Sequence, residues 1–451
     1  VLPGLDLDLD QPSWLAIDDE PGHPQFGLKQ LLGVLGLERT AVDYFPGTAR
    51  GSQGNARTWL ATEIMRPVET TDQWYLSLAR RSRELHLAMA NVEIIEAADQ
   101  RQEAQVIALI MRQALEAPGI TAKLVTPSRR LARRVKAELR RWSIEVNDTA
   151  GEPLAETPAG GFLRLILELG LSRVGARELA QLLKYPLFRF GQDRSSLSDL
   201  VAALEISLLR GVAEPRGIDG LNALLRDRRE ALSRRGEAED THLHQALLRL
   251  GGRDLDAVAD FLGRFGDAAR PFTEPLQGND LFPLGSLLRA HLAFAERLAV
   301  DENGRTILWR GDDGEALSRH FAALIEQADV APPLSPADYG ALIAAELHIH
   351  TVRADTATHP RLSIMGLLEA RLLHADVMIL AGLNQGLWPP EPEMDPWLSR
   401  PMKIELGLST PERRVGLSAH DFIQAFAAPR VCLTYSRKID TRPVVPSRWL
   451  L

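Results

Sequence analysis

The sequence lacks several features that would place it quickly in a functional class. Its single cysteine, Cys432, excludes internal disulfides and any cysteine-only metal site within these residues. No stretch approaches the roughly 20 apolar residues of a membrane span, and no signal-peptide pattern opens the printed sequence. We therefore expect a protein of the reducing cytoplasm that does not contact a membrane.

A nucleotide-binding phosphate loop of the form G-x-x-x-x-G-K-[ST] is also missing, and only six lysines occur in the chain. Without that backbone cradle and its lysine, these residues hold no recognisable primary nucleotide site. The net charge of −8 excludes a uniformly basic nucleic-acid protein. Any contact with DNA must therefore come from local basic patches.

The length of 451 residues predicts two to four domains or subdomains. Residues 91–96 and 122–126 are strand-like, 143–146 are a third strand candidate, and helical patterns separate them, which is typical of a parallel sheet. Leucine- and alanine-rich helical periods then dominate up to about residue 329. Strands are expected again at 376–381 and 430–435, with a helix at 411–427 between them. The abrupt ends, including a strand-like opening over residues 1–10, suggest a piece of a longer protein.

The segment 361–390 contains the most informative pattern. A helix is expected to lead into the strand 376–381, which ends in the loop Gly382-Leu383-Asn384-Gln385-Gly386 before Trp388 and two prolines. Open α/β sheets bind ligands at the carboxyl ends of their strands. We therefore expect this loop to be functional.

A basic helix over residues 128–142 is the second candidate. Its cations greatly outnumber its one acid, Glu138, and Ser128 is placed to cap it. The cations are Arg129, Arg130, Arg133, Arg134, Lys136, Arg140 and Arg141. They predict either a phosphate-tracking surface or the solvated face of an amphipathic helix, and the sequence leaves both interpretations open.

Other polar clusters have simpler explanations. Asp6, Asp8 and Asp10 could share a strand face and bind Mg²⁺, but loop termination and helix capping are favoured. His348 and His350 would share a strand face near His359. Zinc needs three or four ligands, and no cysteine or adjacent carboxylate accompanies these histidines, so no metal site is expected.

Several long stretches in order resemble the AddB subunit of AddAB-type helicase–nucleases, in its alphaproteobacterial form. The stretches are VLPGLDLDLD with HPQFGLKQLL, VEIIEAADQRQEAQVIALIMRQAL, VTPSRRLARRVKAELRRWSIEVNDTAGEPLAETPAGGFL, LLKYPLFR, HPRLSIMGLLEARLLHADVMILAGLNQGLWP, DPWLSRPM, and PERRVGLSAHDFIQAF with VPSRWLL. Together they cover essentially the whole chain.

This resemblance implies an α/β fold with degenerate superfamily-1 helicase-like parallel-sheet domains and a large helical insertion. Residues 1–90 would end a first motor-like domain, 91–160 and 336–451 would form a second, and 161–335 would be its insertion. The nuclease domain would lie beyond Leu451.

Two departures from active helicases imply a motor fold without ATP coupling. The run Gly366–Arg371 replaces an SxKGLEF-like motif, whereas the GLNQGLWP tail is retained. Phe422 stands where the resemblance places the arginine that reaches the ATP γ-phosphate, after the retained Glu412-Arg413-Arg414. Phenylalanine cannot stabilise transition-state charge.

The resemblance therefore implies a DNA-binding subunit acting with an AddA-like partner in double-strand break repair by homologous recombination. The predicted DNA-binding residues are Arg129, Arg130, Arg133, Arg134, Arg361, Arg371, Asn384, Gln385, Trp388, Arg413 and Arg414. No catalytic residue, metal or cofactor is predicted in this chain, whereas ATP and Mg²⁺ would serve the whole complex. The alternatives are an ATP-driven motor that lacks its phosphate loop here, and a docking module for the partner.

Overall fold

The structure, a computed structural model, describes residues 2–44, 52–210, 217–233, 246–353, 358–391 and 395–450. The helices are α1 Gln11–Ala16, α2 Phe26–Leu35, α3 Ser52–Ile64, α4 Gln73–Arg80, α5 Ser82–Met89, α6 Gln100–Glu116, α7 Arg129–Arg140, α8 Pro158–Leu171, α9 Ala176–Leu183, α10 Arg194–Leu204, α11 Gly217–Ser233, α12 Gly252–Thr273, α13 Leu284–Leu298, α14 Gly311–Glu326, α15 Pro336–Ile349, α16 Arg400–Glu405 and α17 Glu412–Phe426. The strands are β1 Val92–Ala97, β2 Ala122–Val125, β3 Asn147–Asp148, β4 Glu152–Pro153, β5 Thr351–Val352, β6 Leu362–Met365, β7 Val377–Leu380, β8 Arg430–Ser436, β9 Lys438–Ile439 and β10 Arg442–Pro443.

The chain forms two compact units, which we call unit 1 (residues 1–150 and 356–451) and unit 2 (residues 151–355). The predicted insertion 161–335 lies inside unit 2, whose limits are wider at both ends. Among the described helices, none is long and apolar enough to cross a bilayer.

Unit 1 is an α/β domain built on a six-stranded parallel sheet with the order β1-β8-β7-β2-β6-β3. Strand β7 is buried on both faces, as expected for a central parallel strand. Its Val377 and Ile379 face the layer formed by α6 and α7, whereas Met378 and Leu380 face α3, α5 and α17. The predicted α/β parallel-sheet class is confirmed.

Residues 52–90 contribute to this sheet's core. Ala56, Leu60 and Ala61 of α3 and Ala88 of α5 belong to the same buried cluster as β7 and β8. Residues 2–42 add a small separate core around Trp14 and Ile17. The segment predicted as the end of a first domain, 1–90, therefore lies in the same unit as the sheet.

In its described residues, unit 2 has many helices and one named pair of strands, the short antiparallel β4–β5. Its core is one large apolar cluster rich in leucine and phenylalanine, with Phe162, Phe261 and Phe265 fully buried. This matches the helical patterning of the sequence.

Three predicted elements are wrong for reasons that are visible in the backbone. The start of 361–375 is strand β6 followed by turns, and not a helix, because Leu362–Met365 pairs with β2. Residues 143–146 terminate α7 through the Ser143 and Ile144 N–H groups, and the strand follows at 147. Residues 2–10 form turns, in which Asp6 accepts backbone N–H groups and Asp10 caps α1.

Candidate nucleic-acid interface

The middle of the unit 1 sheet contains a topological switch point. Adjacent strands β7 and β2 are followed by connections in opposite directions, because β2 leads through α7 towards β3 and β7 leads through α17 to β8. Ligands of open α/β sheets bind in the crevice at the carboxyl ends of such a strand pair. The two sequence candidates, the loop 382–386 and the start of α7, lie at this crevice.

The two loops approach each other closely. Gly382 has a φ of +73°, and a Cβ there would lie 3.4 Å from Thr126 Oγ1. The Ser128 hydroxyl caps α7 as predicted, by accepting the Leu131 N–H at 3.2 Å. The positive φ of Gly382 therefore favours glycine at this position.

Internal hydrogen bonds occupy the polar groups of this crevice. The buried Glu103 carboxylate accepts the Gly382 N–H at 2.9 Å and the Thr434 hydroxyl at 2.8 Å. Burial raises the pKa of Glu103, although these donors partly oppose the effect. The Asn384 amide donates to the Ser436 carbonyl oxygen at 2.7 Å. Glu103 and Asn384 are therefore engaged in contacts within the protein.

This arrangement corrects the predicted roles of two residues in the loop. Asn384 is 1% exposed and Trp388 is fully buried, so neither side chain can reach DNA in this conformation. The Trp388 ring packs edge-on against Phe422 and Trp449, with centroids 5.9 and 6.1 Å away. Only Gln385 of the three predicted loop residues is exposed.

Charge is concentrated on what we call the carboxyl-edge basic surface, defined as Arg129, Arg130, Arg133 and Arg134 of α7 with Arg437, Lys438 and Arg442 after β8. The two segments meet where Arg130 pairs with Asp440. The Arg130 hydrogen bond lowers the pKa of Asp440. The positive charges of Arg134 and Arg442, which also lie near Asp440, lower it further.

Some of these cations are paired with carboxylates. Arg129 pairs with Asp148, and Arg437 pairs with Glu96. Without Arg133, which has a partner of its own, six cations stand against the three carboxylates named here. The sequence analysis did not identify Arg437, Lys438 and Arg442. They lie on two short strands and their connections, which have no helical periodicity to indicate that the three charges share one surface.

The remaining predicted arginines lie elsewhere and bind protein groups. Arg361 precedes β6, at the opposite edge of the sheet, and donates to the carbonyl oxygens of Leu115 and Ala117 at the end of α6. These bonds satisfy orphan carbonyls of a helix terminus. The structure therefore gives Arg361 a capping role and separates it from the basic surface.

Two arginines near α17 are also engaged within unit 1. Arg371 holds Asp421 through two hydrogen bonds of 2.5 and 3.2 Å, which oppose the rise in the pKa of Asp421 that burial causes. The Arg413 guanidinium lies 5.2 Å from the Phe26 ring centroid, and burial lowers the pKa of Arg413. Arg414 is exposed. Arg371 and Arg413 are thus half-buried and engaged within unit 1, and their DNA contacts stay predictions.

Phe422 occupies an apolar environment. It is 2% exposed, stacks on Phe426 with a centroid distance of 5.9 Å, and contacts Trp449 at 5.2 Å. No charged side chain could replace it without being buried among aromatic rings.

Comparison with known proteins leaves the family open. No protein-family model matches this chain, and no curated protein matches it significantly.

Proposed function

We propose that this chain is a DNA-binding, catalytically degenerate helicase-like part of an AddB-like subunit. In this proposal it works in the cytoplasm with an AddA-like partner, within a helicase–exonuclease that processes double-strand breaks for homologous recombination. The observation that carries the proposal is the carboxyl-edge basic surface, which joins α7 to the segment after β8.

The chemistry of this surface fits a nucleic-acid backbone. Arginine presents a planar fork of donors that matches phosphate oxygens, and exposed Lys438 and Arg442 add charge beside α7. Release of counterions from DNA would supply much of the affinity and make it strongly dependent on salt. Recognition by phosphate contacts also suits a subunit that guides DNA of any sequence.

The surroundings of Phe422 support the absence of ATP coupling. An arginine that senses the γ-phosphate must reach a polar cleft, whereas this side chain is enclosed by Trp388, Trp449 and Phe426. An active motor is the competing proposal. ATP hydrolysis by the full-length subunit alone, abolished by changing a phosphate-loop lysine, would favour the motor.

The test is the double charge reversal of Arg134→Glu with Arg442→Glu. Neither residue is a hydrogen-bond partner in the Arg130–Asp440 ion pair, although both lie near Asp440. Binding of fluorescently labelled single- and double-stranded oligonucleotides is measured by anisotropy between about 50 and 200 mM salt. We expect weaker binding and a slope of log K against log salt that is smaller by roughly 2, close to 0.9 for each lost phosphate contact on duplex DNA.

A matched control uses Arg80→Glu with Arg83→Glu. These exposed arginines of α4 and α5 belong to the same unit, and their reversal changes the net charge equally. Reversing Arg129, Arg130, Arg133 and Arg134 together should enlarge the effect in the assembled complex. Equal losses in the test and control variants would show that only net charge matters, and unchanged affinity in both would refute the proposal.

A docking module for the partner subunit is the second candidate, and helix α4 favours it. Trp74, Tyr75, Leu76 and Leu78 of this helix are exposed, Tyr75 to 81%. Contiguous exposed apolar side chains are typical of protein interaction sites. If Tyr75→Glu abolishes partner binding and the charge reversals leave DNA binding of the complex intact, docking is the better description.

A further inference from the structure

Unit 2 brings His320 close to Glu346 and His350, which are themselves only four residues apart in the sequence. His320 lies on α14, Glu346 lies on α15, and His350 immediately follows α15. One potential ligand atom from each residue lies within 4.8 Å of the other two. The sequence predicted His348 and His350 on one strand face. His348 instead lies in α15, and the side chains close to His350 are His320 and Glu346.

The separations suit a divalent metal ion. The Glu346 Oε2 atom is 3.1 Å from His320 Nε2 and 3.5 Å from His350 Nε2. Two atoms that are each about 2.0–2.2 Å from a tetrahedral Zn²⁺ ion lie roughly 3.3–3.6 Å apart. Both separations are therefore close to the edge length of a zinc coordination tetrahedron.

Hydrogen bonds among the three side chains explain these contacts less well than a metal ion does. His320 Nε2 is buried and makes no hydrogen bond, although the Glu346 oxygen is near. The two imidazole rings also lie close together, with centroids 3.8 Å apart. Protonating both rings would place two positive charges in contact, and a buried nitrogen that is poorly hydrogen-bonded is costly. A metal ion would use both nitrogens as neutral ligands.

The backbone holds these ligands in place. The His350 N–H bonds to the Glu346 carbonyl oxygen, and the His350 carbonyl oxygen accepts the Leu154 N–H at 2.8 Å, beside the β4–β5 pair. His320 is supported by its edge contact with the buried Phe321 ring. A bound ion would therefore join α14 to the end of α15 and to β5.

We propose that His320, Glu346 and His350 form a zinc-binding site in unit 2. Two imidazoles and one carboxylate are ligands that Zn²⁺ accepts readily. The His350 side chain is 47% exposed, so water can reach the site and would supply a fourth ligand. A bound ion would link α14 to the end of α15, and the site does not depend on the proposed DNA-binding function.

The test uses tag-free, chelator-treated protein and Zn²⁺ alone. Isothermal titration and metal analysis after dialysis should give one equivalent of zinc, and zinc should raise the melting temperature. His350→Ala should weaken binding by more than the roughly 10–100-fold that loss of an outer-shell partner causes. Affinity should also fall as the pH is lowered, because zinc binding requires neutral imidazole ligands.

His348→Ala is the matched control. It removes an exposed histidine two residues away whose ring contacts the Ala344 carbonyl oxygen of its own helix. Glu346→Gln provides a second test that keeps the side-chain size. The proposal is overturned if the wild type binds no stoichiometric zinc, or if His350→Ala and His348→Ala bind it equally well.

Discussion

Replacing Trp388 with alanine tests whether this residue belongs to the protein core or contacts DNA. Its ring is fully buried in unit 1, between Phe422 and Trp449. Truncating a buried tryptophan costs about 3–5 kcal/mol of unfolding free energy. The two edge-on aromatic contacts add about 0.5–1.5 kcal/mol each to area burial, so we expect a loss in the upper part of that range.

Two further variants sharpen the interpretation. The Trp388 indole N–H is buried without a hydrogen-bond partner. Burying an unpaired donor costs about 1–3 kcal/mol, and Trp388→Phe removes that cost. The gain partly offsets the stability lost through the cavity that the smaller ring leaves. We expect this variant to be much milder than alanine. Trp397→Ala is the exposed control, because Trp397 is 86% exposed and its loss should change stability by less than about 0.5 kcal/mol.

The assay is urea unfolding followed by circular dichroism, combined with hydrogen exchange of amides in β7 and β8. The exchange measurement reports opening of the sheet that Trp388 covers. Faster exchange in Trp388→Ala, with normal DNA affinity in the folded fraction, supports the core role. A loss of DNA affinity with unchanged stability and exchange would refute it and restore base stacking as the role of Trp388.

Two further predictions concern pH. His291 is fully buried with a pKa lowered to about 4 by burial, and its ring contacts the Tyr339 hydroxyl and the Leu163 carbonyl oxygen. As pH falls, His291 takes up a proton in the unfolded state before it does so in the folded state. The free energy of unfolding should therefore decrease by about 2 kcal/mol from pH 7 to 5. His291→Phe should reduce this dependence on pH in urea unfolding. Glu103 has a raised pKa, so its folded state retains a proton that the unfolded state releases, and stability falls as pH rises from about 4.5 through the folded pKa. As pH rises through this range, Glu103→Gln should therefore become more stable relative to wild type, by about 1.4 kcal/mol for each unit by which folding raises the pKa of Glu103. A stability difference that stays constant with pH would contradict the raised pKa as the cause.

Much of the sheet architecture can be predicted from local sequence. The strands β2, β7 and β8 and the helices α6, α7 and α17 have apolar patterns that match their burial. The Ser128 and Asp10 caps follow from side chains that bond their own neighbouring backbone. Such features depend on residues a few positions apart, so the amino-acid order contains them.

Prediction fails where distant partners decide the structure. Leu362–Met365 becomes a strand because β2 offers it a hydrogen-bonding edge, and Trp388 is buried because α17 and Trp449 cover it. Arg361 looked like a DNA contact but caps α6, which lies more than 240 residues earlier in the chain.

The amino-acid sequence by itself determined that unit 1 has a parallel α/β core, that unit 2 is helical, and that α7 is basic. Only the tertiary structure decided which charges form one surface, since Arg134 and Arg442 approach the same carboxylate from separate elements. It also decided that His320, Glu346 and His350 converge. The physical reason is that periodicity records contacts within an element, whereas sites are made by side chains that folding brings together from distant parts of the chain.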